Sequence, residues 1–424
     1  MDKLTYNNRR NFFKKSATIG VGLGVLPLMS CGTAKNASSD IYSKIPQPCH
    51  PQQWKKTGIV IQPDYSLGHR FIQNFNSPAE PLGNGNWKIW FCSNPPKPYK
   101  ANLSVAIGKP GGNFVTHHAV LSPGEPQADA ELAIGGLPDG WQPVQPVHIL
   151  LKNGTHRVYF WAHGGGVVRY LAADSNDGKR YKVVNASTPC LYHFHDRAVE
   201  FVGTTPAGLK LKGRSDAAKQ KYPRPANEPV ADPEVICNDG TTVYQLEDGS
   251  FEMYVISLRS LEKGDPRWAA NDNLAGYIRV MDRLISKDGL KWYGRQTVIA
   301  PDPETDAIDQ QFYYLNVTHT EKGRVGMLGH YRVKDQIMDV EWCFSRDGIH
   351  WERPDKNMDW IPRGWPGEGD SLSIYPGTSI VKDGGKWHLF YTGCNYAHNH
   401  KLKHGEATSV IMHAVTDSIW KDEK

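Results

Sequence analysis

The sequence predicts an all-β protein, a five-bladed β-propeller whose blades are four-stranded and antiparallel. Two observations lead to this prediction. The apolar segments alternate with polar residues or are rich in β-branched and aromatic side chains, and helical periodicity is scarce. Asn-Gly and Asp-Gly turns recur before long aromatic segments, and 41 glycines and 29 prolines suit a chain with many tight turns.

The blades are predicted from a repeated hairpin pattern. In each copy an apolar residue is followed by an Asn-Gly or Asp-Gly turn, which supplies the positive φ angles of a tight hairpin, and then by a long aromatic strand. Four copies and a looser fifth read LGNGNWKIWFCS (82–93), LKNGTHRVYFWAHG (151–164), LEDGSFEMYVISL (246–258), VKDGGKWHLFYTG (381–393) and HTEKGRVGMLGHY (319–331). A third strand follows each hairpin, so five units of four strands predict a propeller.

A second turn pattern, S-x-D-G-x-x-W, occurs at Ser286–Trp292 and Ser345–Trp351, and ADSNDGKRYKVV (173–184) is similar. The Asp-Gly pair predicts the turn between the third and fourth strands of a blade. The serine can hydrogen-bond to the turn backbone, and the tryptophan can pack on its neighbours. We therefore expect this pattern to fix strand register rather than to supply catalytic aspartates.

The N-terminus resembles an export signal. Arg9 and Arg10 precede a short apolar stretch that is too short and too rich in glycine for a spanning helix. The paired arginines are similar to a twin-arginine signal, and Leu28–Cys31 resembles a lipobox. The expected organisation is a lipoprotein signal over residues 1–30, a tether over 31–55, and one propeller over 56–420. Cys31 would carry the lipid, and the protein would be periplasmic or on the cell surface.

Charge and cysteine usage exclude several classes of protein. The net charge is +5, but residues 1–30 hold five basic residues and one acid, so the mature chain is near +1. This balance gives no reason to expect nucleic acid as a partner, and the membrane is expected only through the lipid. The seven cysteines form no C-x-x-C pair, and buried free thiols are at least as plausible as disulfides.

The S-x-D-G-x-x-W turns and the segment DGGKWHLFYTG (383–393) resemble the five-bladed propeller glycoside hydrolases, the arabinanase, β-xylosidase and invertase-like group. The resemblance covers residues 60–418 as architecture. It implies a central funnel in which carboxylates of the innermost strands act as base or nucleophile and as general acid. The invertase stretches W-x-N-D-P-N-G and R-D-P are absent, and FNSPAEPLGNG (75–85) has no aspartate at the first position.

Acidic residues before the hairpins are the candidate catalytic groups. An acid at the start of an innermost strand would face the axis, and four units place one at a similar register. Glycoside hydrolysis needs two carboxyl groups in different environments, one protonated and one ionised. The candidates are Glu80, Asp239, Asp309 and Asp370, and the second unit offers Gln142 and Gln145 instead.

A second cluster of residues competes with the acids. In LYHFHDRAVEF (191–201), strand alternation would put His193, His195 and Arg197 on one face, and His163 lies in the preceding unit. Imidazoles and a guanidinium suit an anionic sugar, or a zinc ion as an alternative, although we expect no metal or other cofactor. Tyr313, Tyr375 and Trp365 lie beside candidate acids and suit the C–H faces of sugars.

Three functions follow from these patterns. The first is an exported glycoside hydrolase that cleaves an oligo- or polysaccharide with Asp239, Asp309, Asp370 and Glu80. The second is a polysaccharide lyase that uses His163, His193 or His195 with Tyr192 and Arg197. The third is a non-catalytic lipoprotein that binds glycans at the surface. The recurrence of acids at one register favours the hydrolase.

Overall fold

Among the residues that the structure describes, nearly all regular structure is β-strand, as the sequence predicts, and the helical part is limited to two 3₁₀ turns, Pro51–Gln53 and Tyr65–Leu67. Neither turn, nor any other described segment, is a helix with the length and apolarity needed to cross a bilayer. The structure is a computed structural model. It describes residues 45–73, 77–94, 101–193, 196, 200–202, 210–213, 236–237, 240–262, 264–399 and 409–421. The predictions for Cys31, His195, Arg197 and Asp239 lie outside these residues.

The first sheet has five strands and contains the first predicted hairpin. Its order is β2-β4-β5-β6, with β3 paired to β4. The strands of this region are β1 (Lys55–Ile61), β2 (Phe71–Ile72), β3 (Glu80–Gly83), β4 (Asn86–Asn94), β5 (Asn102–Gly108) and β6 (Phe114–His118).

The second sheet has eight strands around the hairpin β9–β10, and a separate two-stranded sheet joins β14 to β15. The strands of this region are β7 (Val120–Leu121), β8 (Ala133–Gly135), β9 (Gln142–Leu150), β10 (His156–Gly164), β11 (Val167–Ser175), β12 (Arg180–Val183), β13 (Leu191–His193), β14 (Glu200–Val202), β15 (Lys210–Gly213) and β16 (Ile236–Cys237).

The third sheet is a four-stranded antiparallel meander, and the last sheet has eight strands in the order β1-β27-β26-β24-β23-β22-β21 with β25 paired to β26. The strands are β17 (Thr242–Gln245), β18 (Phe251–Ser260), β19 (Tyr277–Ser286), β20 (Trp292–Ile299), β21 (Gln310–Thr320), β22 (Gly323–Arg332), β23 (Ile337–Ser345), β24 (Ser373–Pro376), β25 (Val381–Asp383), β26 (Lys386–Cys394) and β27 (Ser409–Thr416).

All five predicted hairpins form, as β3–β4, β9–β10, β17–β18, β21–β22 and β25–β26. The sheets are not five separate four-stranded units, however. One parallel pair, Met338 with Ser373, joins β23 to β24 and so merges the fourth and fifth units into one sheet. The N-terminal strand β1 completes this sheet by pairing antiparallel with β27.

The S-x-D-G turns have the predicted hydrogen bonds. Ser286 Oγ accepts the Gly289 N–H at 2.9 Å, and Asp288 Oδ1 accepts the N–H groups of Leu290 and Lys291, both at 2.8 Å. Burial opposes ionisation of Asp288, but these N–H groups lower its pKa overall. The turns at Ser345–His350 and at Ser175–Arg180 repeat the same bonds.

Each of two turns also docks on a buried tyrosine of the preceding sheet region. Tyr159 Oη of β10 donates to Gly289 O at 3.0 Å, and Tyr254 Oη of β18 donates to Gly348 O at 3.3 Å. Both tyrosines are fully buried. The turn pattern therefore ties neighbouring sheets together as well as fixing the register of its own strands.

Apolar side chains fill the space between successive sheets. One cluster joins Trp90 of β4 to Trp161 of β10 and Trp292 of β20, and another joins Tyr254 to Tyr314 of β21. Five cysteines lie buried as free thiols within the part of the chain that the structure describes: Cys49, Cys92, Cys190, Cys343 and Cys394.

The docking of the turn can be tested with two glycines in the left-handed region. Gly289 has φ +73°, and a Cβ there would lie 2.5 Å from Tyr159 Oη, whereas Gly249 has φ +87° and open space around it. Both Gly→Ala changes strain the backbone by about 1–2 kcal/mol. We expect Gly289→Ala to lower the free energy of unfolding by about 1–3 kcal/mol more than Gly249→Ala, because the tyrosine hydroxyl loses its acceptor. Urea denaturation measures both, and equal losses would refute the role of the docking contact.

Candidate active site

The starting residues of four hairpins meet at one end of the strands. Gln145 of β9 accepts the Gly240 N–H with its side-chain oxygen at 3.3 Å. A Cβ on Gly240 would lie 3.0 Å from the Tyr313 carbonyl oxygen of β21, and the Tyr313 ring lies 6.3 Å from the Tyr375 ring of β24. We call this the strand-start end, and the opposite end, with the tight turns, the hairpin end.

Gln145 has a strained backbone at this end. Its φ is +54°, in the left-handed region, and it is buried at a register shift between β9 and β10. Such a conformation costs a residue other than glycine about 1–2 kcal/mol, and it persists only where the surroundings impose it, often at functional sites. In this conformation the Gln145 side chain reaches Gly240, the residue after the candidate Asp239.

A fully buried arginine forms the floor of the strand-start end. Arg279 Nη1 donates to Asp272 Oδ2 at 2.8 Å and to Gln311 Oε1 at 2.7 Å, and Nη2 donates to Asn273 Oδ1 at 2.8 Å. Its guanidinium lies 5.3 Å from the Tyr313 ring centre and 5.2 Å from that of Tyr331. We define the Arg279 cluster as Asp272, Asn273, Arg279, Gln311, Tyr313, Tyr331, Tyr375, His398 and Asn399.

Charge is retained inside this cluster despite burial. Burial opposes the charged forms of both Arg279 and Asp272, but their mutual attraction raises the pKa of Arg279 and lowers that of Asp272. The Tyr331 hydroxyl donates to Asp272 Oδ1 at 3.1 Å, and Asn399 Nδ2 donates to the same oxygen at 3.2 Å. The arrangement holds a fixed ion pair under an aromatic wall.

A neutral histidine completes the wall. The Tyr375 hydroxyl lies 2.6 Å from His398 Nδ1, and the His398 ring packs edge-on against Tyr313 at 4.6 Å. Burial, followed by repulsion from Arg279, lowers the pKa of His398 to about 3. The imidazole is therefore neutral at ordinary pH and forms a hydrogen bond with the Tyr375 hydroxyl.

A second left-handed glutamine clamps the segments that carry the cluster. Gln336 has φ +56°; its Nε2 donates to Asn271 O at 2.8 Å and its Oε1 accepts the Asn399 N–H at 3.1 Å. The His398 N–H donates to the Gln336 carbonyl at 2.9 Å. One side chain thus joins the loop after β18, the turn after β22 and the segment after β26.

Three of the four predicted acids lie in described positions, and each is paired with a cation. Asp309 accepts two hydrogen bonds from Arg332, the shorter at 2.8 Å, and these lower its pKa although burial opposes the shift. Asp370 is fully buried, with Lys56 Nζ at 2.6 Å and the Tyr391 hydroxyl at 2.9 Å. Glu80 contacts His148 and lies 3.5 Å from Lys88; burial again opposes the net lowering of its pKa.

The predicted common register does not hold for Glu80. Glu80 begins the four-residue strand β3 and therefore lies close to its hairpin, whereas Asp309 precedes the eleven-residue strand β21. Since both strands run towards their turns, Glu80 lies near the hairpin end and Asp309 at the strand-start end. Asp370 precedes β24 and also belongs to the strand-start end.

Of the histidine-rich segment the structure describes Leu191–His193, Asp196 and Glu200, so the alternation expected for His195 and Arg197 lies outside the described residues. Strand β13 ends at His193, and the Asp196 N–H donates to the His193 carbonyl at 2.9 Å. His193 is buried edge-on against Trp161 at 5.7 Å. His163 is half-buried opposite Gln142, at the strand-start end, and burial lowers its pKa.

The aromatic candidates differ sharply in exposure. Tyr313 and Tyr375 belong to the buried wall of the Arg279 cluster, whereas Trp365 is 80% exposed on the loop before β24. Sequence reasoning missed Arg279, Asp272 and His398. Arg279 lies in a strand-like run and the other two in loops, so only their spatial convergence marks them.

A carboxyl group with a raised pKa lies outside the cluster. Burial, and next the charge of Asp339, raise the pKa of Asp359 to about 6. Asp359 forms an isolated bridge with Glu341 on the third strand of its unit, beside the ion pair of Arg353 with Glu341. Because Asp359 lies in the segment after β23 rather than at the start of a first strand, we do not include it in the candidate site.

A cavity of about 800 Å³ opens at the hairpin end, between His148, the β17–β18 turn and the β21–β22 turn. It lies at the opposite end of the strands from the Arg279 cluster and is not the candidate site. Among the side chains placed by the structure, no group of three or more His, Cys, Asp or Glu residues could hold a metal ion.

Comparison with family models and with curated proteins gives no match. The fold is similar to solved structures. A glycoside hydrolase has a TM-score of 0.53 and 14% identity, covering 91% of this chain and 96% of its own. An N-acetylgalactosamine deacetylase from F. plautii, solved with blood group B trisaccharide, has a TM-score of 0.51 and 15% identity, covering 86% and 95%. The resemblance to glycoside hydrolases predicted from sequence is thus confirmed at the level of fold.

The buried ion pair gives a stability prediction. Arg279→Leu would leave Asp272 buried without its partner, which typically costs about 3–5 kcal/mol. Arg259→Leu is the matched control: the Arg259 side chain is 42% exposed and 3.9 Å from Asp282, so we expect a loss below about 1 kcal/mol. Urea denaturation compares the two. A small loss for Arg279→Leu would mean that Asp272 becomes protonated or hydrated, and would contradict a rigid charged floor.

Proposed function

We propose that this protein is an exported glycoside hydrolase that cleaves glycosidic bonds in an oligo- or polysaccharide at the strand-start end. The observation that carries the proposal is the series of contacts that links four first-strand segments at this end, from Gln145 through Gly240 to Tyr313 and Tyr375. The ion pair of the Arg279 cluster is buried and would hold the cluster rigid, while the half-buried His398 and Asn399 would offer hydrogen bonds to sugar hydroxyls. The similar fold of a solved glycoside hydrolase supports the reaction class.

We propose further that the strands are arranged as five blades closed into a ring. Five hydrogen bonds support this, each linking one hairpin unit to the next and the last unit back to the first. They are His148 N to Ser77 Oγ, Trp161 Nε1 to Thr241 Oγ1, Thr242 Oγ1 to Leu315 O, Asn316 Nδ2 to Pro376 O, and Thr392 Oγ1 to Gln73 O.

Asp239 and Asp309 are the proposed reacting carboxyl groups. Arg332 keeps Asp309 ionised, which suits a base or nucleophile. Asp239 directly precedes Gly240, whose N–H donates to the Gln145 side chain. Glu80 lies near the hairpin end and Asp370 is closed within an ion pair, so this proposal gives neither a part in bond cleavage. Tyr313, Tyr375, His163 and Trp365 are proposed to contact the sugar.

A non-catalytic glycan-binding protein is the second candidate. The ion pairs of Glu80, Asp309 and Asp370 favour it, and the pKa values of Glu80 and Asp309 are lowered despite burial, whereas a general acid requires a raised pKa. Under this reading the aromatic wall binds sugar and no bond is broken. A lyase that uses His163 and His193 is less well supported, since His193 is buried against Trp161.

The reaction is tested with residues 32–424 and a panel of plant, host and microbial oligosaccharides. We expect new reducing ends from the wild type and at least a 100-fold lower rate from Asp239→Asn, the usual scale for a lost acid or base. Asp347→Asn is the matched control, because Asp347 caps a turn. Its rate should stay within about twofold at a temperature where the variant is folded.

Other outcomes distinguish the alternatives. Products absorbing near 235 nm, formed equally by Asp239→Asn, would assign the chemistry to a lyase. Release of acetate without new reducing ends would indicate deacetylation, the activity of the F. plautii neighbour. Tight glycan binding without any product would leave the binding protein.

Lipid anchoring is also a proposal. In a bacterial host we expect the full chain to incorporate labelled palmitate and to fractionate with membranes. Cys31→Ala should abolish both, whereas Cys49→Ala should not, since Cys49 is a buried thiol of the folded part. Equal labelling of Cys31→Ala and wild type would refute the lipobox assignment.

A further inference from the structure

Trp365 is the most exposed large apolar side chain in the described part of the chain, at 80%. It lies in the loop between Ile361 and β24, in the sequence IPRGWPGEGD. Single exposed apolar residues are common and need no explanation by themselves. The surroundings of Trp365 are what distinguish it.

The turn that carries Trp365 is closed by reciprocal hydrogen bonds. The Trp365 N–H donates to Glu368 Oε2 at 2.8 Å, and the Glu368 N–H donates to the Trp365 carbonyl at 2.9 Å. Gly364 has no room for a side chain, because a Cβ there would lie 2.3 Å from Asp370 Oδ1 and 2.4 Å from Glu368 Oε2. The indole is therefore presented from a turn with little freedom.

Buried charges fix both ends of this turn. Arg363 contacts Asp339 and donates to the Ser371 carbonyl at 2.9 Å. Asp370 is held by Lys56 of β1 and Tyr391 of β26, at 2.6 and 2.9 Å. The cost of removing a carboxylate from water offsets much of the attraction within a buried ion pair. We therefore expect these ion pairs to fix the position of the turn more than to raise the free energy of unfolding.

The anchored turn lies at the same end as the Arg279 cluster. Two residues separate Asp370 from β24, and Tyr375 within β24 bonds to His398 of the cluster. The exposed Trp365 indole would therefore extend the surface along which an oligosaccharide chain would bind.

We propose that the Trp365 turn is a binding subsite for a pyranose ring of an oligosaccharide chain, outside the Arg279 cluster, with Asp370 as its positioning residue. The proposal rests on the proposed carbohydrate-acting function. The flat indole would take the C–H face of one sugar. Stacking without hydrogen bonds tolerates different sugars, so the turn would select for chain length rather than for one sugar.

The test is calorimetric binding of a glycan-array hit, measured for its disaccharide, tetrasaccharide and hexasaccharide. We expect Trp365→Ala to lower affinity for the hexasaccharide about tenfold, which corresponds to about 1.4 kcal/mol, and to flatten the gain in affinity with length. Glu368→Ala keeps the indole but frees the turn, and should give a smaller loss in the same direction. Tyr293→Ala removes an exposed aromatic ring of β20 (38% exposed) and should not alter affinity.

Two results would overturn the subsite. One is hexasaccharide affinity of Trp365→Ala equal to wild type, and the other is an equal loss for all lengths with a lowered melting temperature, which indicates a structural role. The measurement needs no turnover. If no array glycan binds the wild type and none is hydrolysed, the proposed function fails as well; binding with no dependence on Trp365 overturns the subsite alone.

Discussion

The contact between a buried tyrosine hydroxyl and the carbonyl of an Asp-Gly turn is the constraint on which the arrangement of the sheets depends. Tyr159 and Tyr254 have their hydroxyls in the core, where an unpaired donor would be costly. In both cases the acceptor is the carbonyl of a left-handed glycine, in a turn closed by its own serine and aspartate. The position of one sheet is thus set by the last turn of its neighbour.

The side chains at the strand-start end are also held in fixed positions. Gln145 and Gln336 both adopt left-handed backbones, a conformation that the surrounding packing must impose, and both use their amides to join separate segments. The Arg279 ion pair then has partners on the loop after β18, on β21 and on the segment after β26. A charge with so many fixed partners reorganises little when a polar ligand arrives, which is the general basis of electrostatic preorganisation.

Local patterns in the sequence predicted the hairpins and the S-x-D-G turns, because the bonds that make them span only two or three residues. The candidate site was less predictable. Glu80 and Asp309 both precede a turn, but strand lengths of four and eleven residues put them at opposite ends, and strand length is set by neighbouring sheets. Arg279 gave no sequence signal, since Gln311 lies 32 residues away and Asn399 reaches Asp272 across 127.

The pairing of β1 with β27 gives the fold a definite order of completion. Lys55 lies opposite Val415, and the Cys49 N–H reaches the Ile419 carbonyl, so the two ends of the folded part meet in one place. The entropy cost of bringing together two strands so far apart in sequence must be overcome before their contacts form. We therefore expect this pairing to occur late in folding. Before β27 pairs, the facing edges of β1 and β26 are unpaired and open to another chain. A nascent copy therefore remains vulnerable to intermolecular strand pairing at these two edges until β27 has been synthesised and paired.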